Sequence, residues 1–188
     1  MTRIVAGVAR GRRLAVPARG TRPTSDRVRE ALFSALAARM DLEGARVLDL
    51  YAGSGALGLE ALSRGAAQVL LVESDARAAA VAKTNAASLG IPGCAVRCAS
   101  VATALGETPA EPYDLVLADP PYALTDGAMA QVLQTLVDRA WVQDGSLVVV
   151  ERSARGAATS WPTELECEVV RRYGEARVEI ATCYRRPP

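Results

Sequence analysis

The sequence predicts an α/β domain: a doubly wound, mostly parallel sheet of seven strands that ends in an antiparallel hairpin, preceded by a short basic β-arm. Three observations carry this expectation. Beyond about residue 41, apolar runs alternate with helical stretches. The apolar runs are continuous rather than alternating, and the last two strand-like runs follow one another with no helix between them.

Residues 1–20 read as two short extended runs, Arg3–Val8 and Arg12–Val16, joined at Ala9-Arg10-Gly11. This is an arm or hairpin set before a single domain of residues 21–188. Thr21-Arg22-Pro23-Thr24-Ser25-Asp26 then offers a proline followed by three potential N-cap residues. A helix is expected from there to about Met40, with Val28, Ala31, Leu32, Ala35 and Leu36 on its buried face.

Five apolar runs follow, ending at Leu50, Val72, Arg97, Ala118 and Val150. Helical stretches lie between them near Ala56–Arg64, Asp75–Leu89, Val101–Leu105 and Asp126–Arg139. Runs such as Val69-Leu70-Leu71-Val72 and Leu147-Val148-Val149-Val150 suit strands covered on both faces, hence a parallel sheet with right-handed crossovers. Glu166–Tyr173 and Ala176–Arg185, around Gly174-Glu175, form the terminal hairpin.

Half of the 188 residues are hydrophobic but only 4% are aromatic, so Ala, Val and Leu must build the core. No apolar run reaches membrane-spanning length and the N-terminus lacks the apolar block of a signal peptide, which predicts a cytoplasmic protein with no membrane partner. The chain contains no histidine, which excludes Ser-His-Asp and Cys-His mechanisms. Cys94 and Cys98 have the three-residue gap of a zinc pair, but Cys167 and Cys183 do not pair in spacing and there is no histidine, so all four read as reduced core cysteines and no metal is expected.

Charge is unevenly divided. Residues 1–40 carry nine arginines against Asp26 and Glu30, a net of +7, whereas residues 41–188 carry thirteen basic and nineteen acidic residues, a net of −6. A basic arm on a mildly acidic body is the footprint of a protein that grips a polyanion at one end, although such a run also serves as plain solvated surface.

The first strand, Arg46-Val47-Leu48-Asp49-Leu50-Tyr51, runs into Ala52-Gly53-Ser54-Gly55-Ala56-Leu57-Gly58 and a helix. Glycines belong where a sharply turning backbone must admit a ligand. The loop is G-x-G-x-x-G, and Glu73 ends the next strand 20 residues after Gly53, the spacing of the Rossmann-like fingerprint with an acid for a ribose diol. This pattern alone fits either a dinucleotide or S-adenosylmethionine. Asp49 favours the second: a carboxylate beside the loop repels a pyrophosphate and suits a zwitterionic methionine with a positive sulfonium. The other reading of Asp49 is a cap for the following helix.

A further strand, Tyr113–Ala118, is followed at once by Asp119-Pro120-Pro121-Tyr122. The C-terminal end of a parallel strand is where ligands sit. Two prolines remove N–H groups, so this loop offers acceptors only, and an acceptor-only loop recognises a donor such as an exocyclic –NH₂. Asp119 and the Pro120 carbonyl would draw in the amine while Tyr122 supplies a face for base stacking. A rigid turn with an Asp cap and a core tyrosine is the plainer alternative.

These motifs together resemble the bacterial RsmD family, the small-subunit ribosomal RNA guanine-N2 methyltransferases. The resemblance runs over Arg3-Ile4-Val5-Ala6-Gly7 with Arg10-Gly11-Arg12-Arg13-Leu14, Arg22-Pro23-Thr24-Ser25-Asp26-Arg27-Val28-Arg29-Glu30, Asp49-Leu50-Tyr51-Ala52-Gly53-Ser54-Gly55 and Asp119-Pro120-Pro121-Tyr122. The second stretch is the discriminating one, since glycine loops and Asp-Pro-Pro-Tyr recur across amino-methyltransferases. The resemblance implies a class I S-adenosylmethionine methyltransferase fold. It implies methylation of one guanine of 16S ribosomal RNA, at position 966, within an assembled or assembling 30S subunit, with release of S-adenosylhomocysteine; a monomer is the default expectation for oligomeric state. Asp49, Gly53 and Gly55 would hold the methionine part and Glu73 the ribose, with Tyr51, Ser54, Ser74, Ser100 and Val101 completing the cofactor set. Where relatives carry a polar or acidic residue for the adenine amine, this chain has Cys98-Ala99-Ser100-Val101, leaving the Ser100 hydroxyl and backbone. Asp119, Pro120 and Tyr122 would be the catalytic group, and Arg3, Arg10, Arg12, Arg13, Arg22, Thr24, Arg27 and Arg29 would meet RNA. Arg27 and Arg29 read equally well as a solvated helix face.

Two other readings stay open on sequence alone. One is a DNA adenine-N6 or cytosine-N4 methyltransferase, which would need a target-recognition insertion that 188 residues do not accommodate. The other is a non-catalytic RNA-binding protein that keeps the fold.

Overall fold

The computed structural model describes residues 2–17 and 25–184 of the chain. Strands β1 (Thr2–Arg3) and β2 (Arg13–Leu14) pair antiparallel, and helix α1 (Asp26–Ala37) follows. Then come β3 (Arg46–Leu50), α2 (Ala56–Ser63), β4 (Gln68–Glu73), α3 (Ala76–Leu89), β5 (Cys94–Cys98), α4 (Val101–Leu105), β6 (Tyr113–Ala118), α5 (Asp126–Asp138), β7 (Val142–Ser153), β8 (Leu165–Tyr173) and β9 (Ala176–Cys183). The seven-stranded sheet runs β5-β4-β3-β6-β7-β9-β8, parallel from β5 to β7 and antiparallel through β9 and β8. This is the architecture that the alternating apolar runs predict.

Alternation along the central strands divides the core into two layers. Val47, Leu115, Leu117, Leu147 and Val149 face α1, α2 and α3, whereas Leu48, Leu50, Val116, Val148 and Val150 face α4 and α5. Side-chain caps start the helices: the Ser25, Asp75, Ser100 and Thr125 oxygens accept from Val28, Ala78, Thr103 and Ala128 N–H respectively. Gly90 in the left-handed region (φ 66°) ends α3.

The arm differs from its expected form in an instructive way. Its paired strands are only two residues each, because its N–H groups go to side chains of α2 instead of to a partner strand. Glu60 accepts from Val5 N (2.7 Å) and Ala6 N (3.0 Å), and Ser63 Oγ accepts from Ala9 N (3.0 Å). Ile4, Ala9 and Leu14 share the α1–α2–α3 core, and at Gly7 (φ 81°) any side chain would collide with the Ser63 carbonyl. The hairpin is thus moulded onto the domain. At the other end, β7 runs to Ser153, beyond the apolar run, because β9 pairs with it as far as Ser153↔Ala176. Cys183 is buried and Cys94 and Cys167 are half-buried, but Cys98 lies at the surface, so not every cysteine belongs to the core. Among the described residues no helix is long and apolar enough to cross a membrane.

Candidate active site

The strand order reverses direction between β3 and β6, and the loops leaving these neighbouring strands open a crevice at the carboxyl edge of the sheet. The first is the Gly53–Gly55 turn and the second begins at Asp119. Leu50 pairs with Ala118 at the ends of the two strands, so both sequence-predicted motifs start from one point.

The glycine turn is held from below by buried or half-buried polar groups. Glu73 Oε2 accepts from Gly53 N (2.8 Å), while its Oε1 accepts from Asp75 N (2.8 Å). Gly53 and Gly55 lie in the left-handed region at φ 55° and 80°, and a Cβ on Gly55 would sit 2.7 Å from Leu71 Cδ1. Tyr51, at φ 61°, is strained for a residue with a side chain, a backbone cost that clusters at functional loops. Burial raises its phenol above the ordinary value, against the opposing pull of Arg152.

Asp49 is placed differently from the direct ligand contact its position suggests. It is 1% exposed, beneath the turn, and its Oδ2 accepts from Gly58 N at 2.8 Å in the first turn of α2. The helix-cap reading therefore describes its bonding, and any effect on a ligand acts through its field. Burial, with smaller contributions from the charges of Asp119 and Glu73, pushes its carboxyl up to about 7 despite the Gly58 hydrogen bond.

Of the remaining predicted cofactor residues, Tyr51, Ser74, Ser100 and Val101 line a cleft of about 770 Å³ between the strand ends, α4 and α5. Ser54 is buried behind the turn. Sequence reasoning missed the opposite wall of this cleft, where Leu124, Gln131 and Val132 face Val101 and Leu105. Their signal in the sequence is only the ordinary amphipathic pattern of α5. Among the described residues no polar side chain other than Ser74, Ser100, Gln131, Thr135, Asp138 and Arg139, besides the Tyr51 phenol, lines the cleft.

In the second loop, Asp119 is half-buried, Pro120 is buried, and Pro121 and Tyr122 face solvent, Tyr122 with 70% of its surface exposed. That exposure rules out the core-tyrosine alternative. The loop closes with Leu124 N donating to Pro121 O (2.9 Å) and passes into α5 at Thr125. Arg152, at the end of β7 and also absent from the sequence-based set, braces it: Nη2 donates to Leu124 O (2.8 Å) and to Asp126 Oδ1 (2.7 Å). A second groove of about 320 Å³ runs from Tyr122 past Arg152 to Gly156.

The predicted RNA-facing residues separate into groups. Arg3, Arg10, Arg12, Arg13 and Arg27 are exposed, and Arg3, Arg10 and Arg27 line a groove with Asp26 and Glu30. Arg22 and Thr24 lie outside the described residues. Arg29 is a correction: it is 0% exposed, its guanidinium donating to Arg3 O and Asp26 Oδ1 and lying 3.6 Å from Glu60 Oε2. It ties α1 to the arm and α2 and cannot reach a phosphate. The buried stripe of α1 is Arg29, Leu32, Phe33 and Leu36, an i, i+3, i+4, i+7 series that the sequence does contain, rotated one position from the expected face.

A protein-family model described as conserved hypothetical protein 95 matches residues 2–182. The ribosomal RNA small subunit methyltransferase D of Escherichia coli (strain K12) is 38% identical over 161 residues, covering 85% of this chain and 79% of that protein. The solved structure of yhhF from Escherichia coli is similar with a TM-score of 0.87 at 35% identity, over 97% of each chain. Magnesium protoporphyrin IX methyltransferase from Synechocystis PCC 6803, solved with bound SAM, shares the fold at a TM-score of 0.66 and 14% identity, over 84% of this chain and 78% of that one. The fold is the class I S-adenosylmethionine methyltransferase fold. With a match across nearly its full length and this sheet order, the chain belongs to the conserved hypothetical protein 95 family, the RsmD family of methyltransferases.

Proposed function

We propose that the protein transfers a methyl group from S-adenosylmethionine to the exocyclic N2 of one guanine in small-subunit ribosomal RNA, the guanine at position 966 of 16S ribosomal RNA. On this reading it is a cytoplasmic monomer acting on an assembled or assembling 30S subunit. The observation that carries the chemistry is the shared origin of the Gly53–Gly55 turn and the Asp119 loop on neighbouring strands. The substrate class is supported by the small-subunit methyltransferase named among its relatives and by the exposed arginines of the arm and α1.

The residues fit the cofactor. The nearby carboxylates Asp49 and Glu73 match a cationic ligand, and the cleft lined by Ser74, Ser100, Val101 and Leu124, about 770 Å³ in volume, is large enough for a nucleoside. Gly53, Ser54 and Gly55 would hold the methionine part, Glu73 and Ser74 the ribose, and Ser100, Val101, Leu124 and Val132 the adenine. Bound there, S-adenosylmethionine supplies an electrophilic methyl carbon on its sulfonium.

The chain's own residues act on the amine. The Asp119 carboxylate and the Pro120 carbonyl accept the two N–H groups of the base. They favour a pyramidal nitrogen whose lone pair points toward the turn. As that nitrogen gains a bond to the methyl carbon, whose bond to sulfur breaks to leave neutral S-adenosylhomocysteine, it becomes positive, and Asp119 would stabilise the charge before one N–H proton leaves to solvent. Tyr122, already exposed, stacks on the base. Arg152 keeps Leu124 and Asp126 in place and so holds the acceptor atoms at one position.

Small ribosomal subunits incubated with labelled S-adenosylmethionine and the protein, then digested, should yield label in N2-methylguanosine. Label confined to duplex DNA in a parallel incubation, or no transfer to either polymer, would refute this reading.

A further inference from the structure

Asn85 lies on α3, outside every motif the sequence singles out, and only 3% of it is exposed. Its amide bridges two segments that are far apart in the chain. Oδ1 accepts from Ala15 N (2.9 Å), and Nδ2 donates to Ala15 O (2.9 Å) and to Ser54 O (2.9 Å). Both amide protons are used, one on the arm and one on the glycine turn.

The second contact has a specific consequence for the turn. The peptide between Ser54 and Gly55 is fixed at both ends: its carbonyl by Asn85, its N–H by Ala52 O at 2.7 Å. Gly55 sits at φ 80°, where glycine tolerates more than one backbone arrangement, so the peptide plane depends on these two bonds. Glu73 fixes only the Gly53 N–H on the other side of the turn. Asn85 in turn is oriented by Ala15, directly after Leu14, which is 1% exposed in the shared core.

We propose that Asn85 is a positioning residue for the glycine turn, and that through it the N-terminal hairpin forms a structural part of the cofactor site. The hairpin need not touch the ligand. By holding both backbone groups of Ala15 against Asn85 it sets the Ser54 carbonyl, and with it the backbone that receives the cofactor. The inference rests on the reading that this turn binds S-adenosylmethionine. An asparagine that merely satisfied buried backbone would lower stability without a selective effect on that ligand.

Calorimetric titration with S-adenosylhomocysteine on the full chain separates the possibilities, using Asn85→Ala, Leu14→Ala and Ser63→Ala. Ser63→Ala loosens the arm at its far end, where it bonds Ala9 and Ala6, and leaves the Asn85 bridge intact. Asn85→Ala should weaken binding at least about tenfold and Leu14→Ala several-fold, with Ser63→Ala within twofold of the unaltered protein. In turnover assays Asn85→Ala should raise KM for S-adenosylmethionine while kcat at saturation stays within about threefold. If Asn85→Ala fails to fold, the contrast between Leu14→Ala and Ser63→Ala decides the matter. Equal loss in those two, or unchanged affinity in Leu14→Ala, overturns the inference. An unaltered protein that binds no S-adenosylhomocysteine would instead refute the proposed function.

Discussion

The two loops at the centre of the sheet are built on opposite plans. The Gly53–Gly55 turn is tied to the domain at successive backbone groups: Gly53 N to Glu73, the Ser54 carbonyl to Asn85, Gly55 N to Ala52, with Asp49 buried underneath on Gly58. The Asp119–Tyr122 loop turns Pro121 and Tyr122 out to solvent, and Arg152 bonds the segment just after it, at Leu124 and Asp126. On the proposed function, the difference teaches how a small domain would serve two ligands of unlike size. A flexible cofactor is best met by a preformed cradle, whereas a nucleotide within a large RNA needs a rim it can approach from outside.

Three substitutions test whether this division of labour is real. The largest effect is expected at Asp119. Asp119→Ala should lower kcat by roughly two to three orders of magnitude, the range for removal of one transition-state hydrogen-bonding group, while S-adenosylhomocysteine affinity stays within about twofold. Parallel loss of affinity would show that the two loops are not functionally distinct.

The next effect concerns Asp49 and pH. Its carboxyl is raised in the folded protein to about 7, so the neutral form is favoured by folding. Its cost to stability is absent below the ordinary value of 3.8, grows as pH rises through the window up to about 7, and is complete above it. A cation bound above the turn favours the ionised form, so binding below pH 7 must expel a proton. Affinity for S-adenosylmethionine should rise by up to about tenfold between pH 6 and pH 8, and Asp49→Asn should flatten that slope while melting at a higher temperature than the parent at pH 8. A slope that survives in Asp49→Asn would assign it to another group.

The smallest effect is expected at the brace of the open loop. Arg152→Met retains the apolar stem and removes the bonds to Leu124 and Asp126. A loss of about tenfold or less in kcat is expected, because displaced acceptor atoms weaken orientation, with a smaller loss of cofactor affinity through Leu124. Unaltered turnover would mean that the loop holds its shape without Arg152.

The sheet and both loops were legible in the sequence because each is written in contiguous residues: apolar strands, glycines in register with Glu73, and a proline pair after a strand. Their supports were not legible in the same way. Asn85 and Arg152 act on segments 31 and 28 residues away respectively, and nothing in the local pattern of α3 or β7 marks them. Arg29 shows the converse error. Its charge suggested a phosphate contact, yet its place in the stripe with Leu32, Phe33 and Leu36 assigned it to the interior, where Asp26 and Glu60 accompany it. Asp49 lies between these cases: the strand-end position was evident, but whether its oxygens face the cleft or the helix depends on which face of the sheet position 49 occupies.

The place of β3 and β6 in the strand order bears on endurance. Neither lies fewer than two strands from a margin of the sheet, so fraying that starts at β5 or at the β8–β9 tip leaves the spacing between the two central loops intact. Amide protons of Leu48–Leu50 and Val116–Ala118 are expected to exchange only when the whole domain opens, as native-state hydrogen exchange would check. On the proposed function, activity and global folding would then be lost together.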